Sequence, residues 1–413
     1  MSRAPATAAV PTSGWVGLTT LPITLLVQSA ASAAIIAPAV AAPALLKSLG
    51  AGTVVVGIYI ATVYFAAMLA SLVGSSLVRR WGPIRTSQVA LLTGTAGLLL
   101  IAVPQPVVAF VGALLLGFGY GPITPASSEM LARTTPTTRL ALVFSIKQTG
   151  VPLGGVIAGL VVPVVIALAG ARWAMMAMVA ISIFSIVLAE LLRKALDAHR
   201  DPTSPMPTRS RILAPLRYVT KHPVLMRLAL CSFVFSAVQV SLSSYMVSFL
   251  HGDLGWTLVA AGAASSIAQT AAVGGRVLWG HMADAWRGGP RWTLFGLALC
   301  MAALGLAMPF LTADVPHIAV IVLLALYGCT AIGWNGVYLG TVARVVPHDE
   351  AAMATGGSLF FTYFGVVLGL PTFGIVSGLF GHIGQAFATL AVPLAWTLWV
   401  LMRSEWRIGG GER

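Results

Sequence analysis

Charge is the scarcest property of this chain: 8% of its 413 residues are Asp, Glu, Lys or Arg, where soluble domains carry about 25%. So small a charged set cannot cover the surface of a water-soluble protein of this length, and 58% of the residues are apolar. Acids are the rarer sign, 11 against 24 Lys and Arg. The three cysteines, Cys231, Cys300 and Cys329, form neither an even disulfide set nor a metal-ligand spacing, and read as small buried packing residues. No Gly-x-x-x-x-Gly-Lys-Ser/Thr loop is present, which argues against an ATP-driven pump within the chain. No His/Cys/Glu cluster has metal spacing, and no nucleophile sits beside a base in a recognisable motif. The expectation is a protein that is not an enzyme and needs no cofactor or metal.

What the sequence does have is long apolar runs. Each is about 20 residues or more, enough to cross a hydrocarbon core of about 30 Å as a helix. The runs are continuous rather than alternating, so helices and not barrel strands are expected. Twelve are found, at 15–43, 51–78, 86–103, 107–128, 141–168, 172–192, 224–250, 257–280, 292–311, 316–340, 352–380 and 384–402. The first is too long for a cleavable signal and has no basic segment before it, so it reads as a span.

A net charge of +13 could indicate a nucleic-acid partner, but its distribution argues otherwise. With twelve spans and the N-terminus inside, only Lys47 and Arg172 of the 24 basic residues fall on the outer side. That is the positive-inside bias. The expected place is therefore a cell membrane, the inner membrane of a bacterium, crossed many times with both termini cytoplasmic. The lipid bilayer and a small-molecule solute are the expected partners, nucleic acid is not, and a monomer is expected to function.

One long polar connection, 193–223, carries Arg193, Lys194, Arg200, Arg209, Arg211, Arg217 and Lys221 and is interrupted by Pro202, Pro205 and Pro207. It reads as a solvated cytoplasmic linker between two six-helix bundles, 1–192 and 224–402, with a tail at 403–413. The halves resemble each other. At an offset of 211, Gln28-Ser29-Ala30-Ala31-Ser32 meets Gln239-Val240-Ser241-Leu242-Ser243, and Ala132-Arg133-Thr134-Thr135-Pro136 meets Ala343-Arg344-Val345-Val346-Pro347. At 215, Gly150-Val151-Pro152-Leu153-Gly154 meets Gly365-Val366-Val367-Leu368-Gly369. Three matches in order point to a parallel duplication of six spans. The fold expected is an all-α membrane protein of twelve transmembrane helices in two pseudo-symmetric bundles.

At these residues the chain resembles the major facilitator superfamily, whose signature between spans two and three reads Gly-x-Leu-Ala-Asp-Arg-x-Gly followed by basic residues. Between spans eight and nine the chain has Gly280-His281-Met282-Ala283-Asp284-Ala285-Trp286-Arg287-Gly288-Gly289-Pro290-Arg291. In the first half, Ser75-Ser76-Leu77-Val78-Arg79-Arg80-Trp81-Gly82 puts Arg79 where the family has its acid. The resemblance implies that each signature acid sits near the start of the fifth or eleventh helix of the other half. An Asp284–Arg139 pair is then expected. The counterpart of Arg139 at offset 211 is Glu350, preceded by Asp349, so the first half is expected to have exchanged its charges and to pair Arg79 with one of these acids.

Ions inside spans are costly, about 2.5 to 3.5 kcal/mol on insertion scales, and so are site candidates. Lys147, followed by Gln148, is the leading one; facing the axis it would attract an anion, and otherwise it snorkels to the headgroups. Glu129 is either a proton-coupling acid or the helical partner of Arg133. Arg276 is taken as a structural group, as the resemblance implies. The family's first, fourth, seventh and tenth spans line the centre, which implicates Gln28, Tyr120, Gln239, Tyr245, Asn335 and Tyr338, with Tyr363 from the eleventh. Trp15, Trp173, Trp256, Trp292 and Trp406 lie near span ends and read as interfacial anchors. The leading function is a secondary active transporter, symport or antiport, for a small anionic organic solute. A proton-driven efflux pump for hydrophobic compounds is the alternative within transport. From another class, a scaffold or sensor would show no solute flux.

Overall fold

The protein is described by a computed structural model, which covers residues 14–49, 54–205, 208–286 and 289–403. Among these residues there is no strand, and twelve helices are long and apolar enough to span a membrane. They are α1 (Leu18–Val40), α2 (Val55–Trp81), α3 (Pro83–Ile101), α4 (Pro106–Thr134), α5 (Thr137–Ala169), α6 (Ala171–Leu196), α7 (Pro223–Asp253), α8 (Leu258–Ala285), α9 (Gly289–Phe310), α10 (His317–Arg344), α11 (His348–Phe380) and α12 (Ile383–Met402). They form two six-helix bundles.

Interruptions inside the spans place the polar groups. Helix α4 is interrupted between Pro106–Tyr120 and Ile123–Thr134, where Pro122 has no N–H to give. Helix α10 breaks between His317–Ala331 and Asn335–Arg344. The two breaks fall at the duplication offset, since 121 and 332 differ by 211. Helix α5 is divided at Thr149 into Leu140–Gln148 and Gly150–Ala169.

The bundles meet unevenly. The first segment of α5 packs against α8 and the second segment of α10, and α2 packs against α11. Gly280 and Gly336 both press on Ser145, and Gly340 presses on Ala141, so these backbones touch where any side chain would intrude. Among the described residues no comparable packing joins the second segment of α5 to α8, or α1 to α7. The molecule is therefore closed at the end that carries the linker.

The linker departs from the solvated reading. Its helix Ala214–Lys221 lies on α11, with Pro215 and Val219 buried and Gly357 pressed on the Pro215 carbonyl. Upstream, the Asp201 N–H donates to the Arg79 carbonyl at 2.8 Å, and the Arg80 guanidinium donates to the Ser204 carbonyl. An amphipathic turn gives the connection an apolar face to bury, and its charges stay outside. Asp197, just past α6, accepts from the N–H groups of Ile84 (2.8 Å) and Arg85 (3.1 Å), and so caps α3. Burial pushes its carboxyl up from the ordinary value, against those two hydrogen bonds.

Two minor expectations need correction. Trp256 is buried with its ring 4.3 Å from that of His317, whereas Trp173 and Trp292 are exposed on the bundle surface. Cys300 is exposed and only Cys231 is fully buried; a thiol on an outward apolar face meets lipid as readily as core. The Trp15 side chain and Trp406 lie outside the described residues.

Candidate functional site

Lys147 ends the first segment of α5, and its side chain is fully buried. Its Nζ lies 2.7 Å from Gln28 Oε1, 3.1 Å from Gln148 Oε1 and 3.3 Å from Thr124 Oγ1. Gln28 in turn donates to Tyr120 Oη at 3.2 Å and Ser32 Oγ at 3.3 Å. The amine therefore runs into the bundle rather than out to headgroups. Every oxygen around it is neutral.

The second bundle repeats part of this network. Gln239 Oε1 accepts from Asn335 Nδ2 at 2.9 Å and from Trp334 Nε1 at 3.0 Å. Gln239 and Asn335 are the offset-211 counterparts of Gln28 and Thr124, whose side chains are 3.3 Å apart. Each glutamine thus bonds within its own bundle rather than across the axis. The counterpart of Lys147 at offset 215 is Thr362, so the charge exists on one side only.

Arg276 supplies the charge from the other side. It is buried on α8, donates Nε to the Ile332 carbonyl at 3.2 Å, and reaches across to the Gln148 carbonyl. Gln148 therefore receives Lys147 on its side chain and Arg276 on its backbone. Bonds to two backbone carbonyls fit the structural role expected for Arg276, and its charge inside a span also makes it a site candidate. Gln269, seven residues earlier and half-buried, shares its helix face.

The tyrosines divide. Tyr120 and Tyr64 flank Tyr363, at 6.3 and 5.9 Å between ring centres, and so connect α4 and α2 to α11 across the bundles. Tyr245 instead lies on Phe373 at 4.8 Å, and Tyr338 is buried against Trp334 at 5.4 Å. Both fill the second bundle's interior rather than lining a shared space. Aromatic rings at span depth find aromatic partners.

The ion pairs at the closed end differ from the expected ones. Asp284 accepts from the N–H groups of Leu142 (2.8 Å) and Ala141 (3.2 Å), at the start of α5 across the interface. This is a carboxylate at a helix N-terminus, the favourable sign. Its cation is Arg344, not Arg139. Arg139 lies in the 3-10 turn before the helix, exposed. Arg133, the counterpart of Arg344, pairs at 2.8 Å with Glu129 on its own helix. In the half whose signature acid is lost, Glu129 takes over that arginine. The exchanged pair is absent among the described residues: the Arg79 side chain and Asp349 are exposed, and Glu350 accepts from Tyr218 of the linker helix. Burial, then that carboxylate, push the Tyr218 phenol well up, so it stays the donor. Asp284 and Arg344 side chains are 8% and 14% exposed. A double-mutant cycle of Asp284→Asn with Arg344→Gln, read by thermal unfolding, is expected to show a coupling of about 0.5–3 kcal/mol. Additive effects would contradict it.

No curated protein matches the sequence at a significant level. Solved structures do. A structure of an E. coli fucose:proton symporter variant, FucP, is 16% identical with a TM-score of 0.74, covering 94% of this chain and 99% of that one. FucP in the outward conformation gives 16% and 0.75, covering 94% and 100%. The proton:xylose symporter XylE bound to 6-bromo-6-deoxy-D-glucose gives 14% and 0.72, covering 95% and 96%. At such identities these likenesses speak for the fold. The family profile described as Major Facilitator Superfamily matches residues 24–370, and with it the chain belongs to the Major Facilitator Superfamily of transporters.

Proposed function

We propose that this transporter moves a small organic anion, a carboxylate, across a cell membrane by alternating access, with its linker end and termini cytoplasmic and with a proton as the coupling ion. The observation that carries the reading is the meeting of two buried cations from opposite bundles, Lys147 and Arg276, at Gln148. No acid is within hydrogen-bond reach of either among the described residues. A polar pocket for a neutral solute does not need two desolvated positive charges; an anion does. Gln28, Tyr120, Gln148 and Tyr363 are proposed to complete the site, with Gln239 and Asn335 facing it from the second bundle. These groups are packed together here, so solute entry requires the bundles to part on the side away from the linker. The structural neighbours FucP and XylE are a fucose:proton and a proton:xylose symporter, and a proton is proposed as the coupling ion of this chain.

The purified protein is to be melted with formate, lactate, succinate and benzoate, and with glucose and ethidium as neutral and hydrophobic comparators. At least one carboxylate is expected to raise Tm, and that compound to enter proteoliposomes faster under an inward proton gradient. Stabilisation by glucose or ethidium alone would overturn the anionic reading. No stabilisation and no flux would leave a scaffold or sensor.

A further inference from the structure

We propose that Lys147 is itself the proton carrier, its amine taking up one proton with each solute anion and releasing it when the solute departs. The proposal rests on the anionic reading above and concerns which group couples the ion.

The acids of the chain are engaged elsewhere. Glu129, Glu190 and Asp284 are paired with Arg133, Arg193 and Arg344. Asp197 caps α3, Asp201 holds Thr203, Asp253 accepts from the Gly384 N–H, and Glu350 accepts from Tyr218. Asp314 is exposed in the turn between α9 and α10, Asp349 is exposed at the start of α11, and Glu405 and Glu412 lie outside the described residues. None of the described acids contacts the cation pair, so a carboxylate relay has no member at the site.

Arg276 holds its charge under all conditions in which proteins are folded, and two backbone carbonyls face it. A lysine can give its charge up. The Lys147 surroundings accommodate either form. Gln28 Oε1 and Gln148 Oε1 only accept, but the Thr124 hydroxyl, which here donates to Gln28 Oε1 and accepts from Lys147, can turn its proton to a neutral amine. With the site empty and closed, neither Lys147 nor Arg276 has an acid among the described residues as its counter-charge. With a carboxylate bound they have one. The empty carrier therefore changes sides with a neutral amine, and the loaded carrier with an ammonium–carboxylate pair. In the loading step the amine lone pair takes a proton from a hydronium ion and an N–H bond forms. In unloading that bond breaks to water on the other side, and no electrons are transferred.

The other charged or titratable groups on elements packed against the first segment of α5 are few. They are Tyr120, Glu129 and Arg133 of α4, Arg276, His281 and Asp284 of α8, Tyr338 and Arg344 of the second segment of α10, and Arg139 in the preceding turn; α1 presents no ionisable group. Glu129, Arg133, Asp284 and Arg344 are already paired with one another.

The experiment measures the affinity of the carboxylate that best stabilises the wild type, as a function of pH, and in parallel the lumenal pH of pyranine-loaded proteoliposomes during its uptake. Binding that carries a proton weakens as pH rises, by up to about tenfold per pH unit. Lumenal acidification is expected to accompany uptake. Lys147→Arg, which cannot release its proton, should flatten the pH profile and lose gradient-driven accumulation. Lys147→Gln should lose binding by about a hundredfold together with the pH dependence, with the Tm of the unliganded protein as the check on folding. A wild-type affinity independent of pH, or a Lys147→Arg protein with the slope intact, would overturn the coupling alone. Failure of every carboxylate to bind overturns the anionic reading and this proposal with it.

Discussion

Gly336→Val is expected to abolish transport, lowering uptake by about a hundredfold or more, while the protein still folds in the membrane. A Cβ at this position would sit 2.1 Å from Ser145 Cα and 2.2 Å from its Oγ. That is backbone against backbone, with no flexible end to move aside. Neighbouring contacts repeat the constraint: a Cβ at Gly280 would lie 2.4 Å from Ser145 Oγ, and one at Gly340 2.7 Å from Ala141 Cα. Overpacking of a well-packed core costs about 1–3 kcal/mol even where side chains can yield. About 5.5 kcal/mol of differential stability inverts a 99:1 equilibrium between two states, so a clash confined to the closed linker end drives the carrier toward its other state. Hydrogen exchange at Ala141 and Leu142 is the direct readout, because these two amides donate to Asp284 across the closed interface. Faster exchange there, with unchanged exchange in α3 and α9, is the expected pattern. Wild-type exchange and uptake in the variant would show that this contact is not the gate.

The sequence made the architecture legible for a physical reason: lipid demands continuous apolar helices, and insertion demands a bias of basic residues. The same directness fails at the site. The duplication brought out Gln28 and Gln239, and the structure adds that Thr124 and Asn335 stand beside them at the same offset. Asn335 stands among the residues the family resemblance implicates, whereas Thr124 carries no charge to mark it. Arg276 is harder. An arginine one turn before Gly280 reads alike whether it braces a helix or meets a ligand, and only its reach to the Gln148 carbonyl across the interface separates the cases. The charge exchange expected for Arg79 and Glu350 is not formed among the described residues: Glu350 accepts from Tyr218 of the linker helix, and the Arg79 side chain is exposed. The docking of that linker depends on Pro215 and Val219 burying against α11, a tertiary contact that local pattern does not announce.

Arg276→Gln is expected to reduce solute affinity by about a hundredfold or more, near the 2–5 kcal/mol that truncating one member of a buried charge contact costs. The slope of affinity with pH should survive. That combination separates the two cations. Arg276 keeps a fixed charge and is tied to the Ile332 carbonyl at the α10 break and to α5 through Gln148. It spans the two bundles and sets how strongly an anion draws them together. Lys147 is held by three neutral oxygens within one bundle, and decides whether a proton accompanies the anion. Removing the arginine leaves two carbonyls without a donor, and removes half of the positive field without touching the titrating amine. Arg276→Lys restores charge, but a single ammonium lacks the planar fork that serves two divergent carbonyls, so it should recover only part of the affinity. Both variants are read by carboxylate titration at three pH values, with Tm of the unliganded protein as the check on folding. An Arg276→Gln protein that binds carboxylate as the wild type does would remove Arg276 from the site and leave it a brace between the bundles. One that loses the pH slope together with affinity would show that the two cations titrate as a unit, and that the proton is not the property of Lys147 alone.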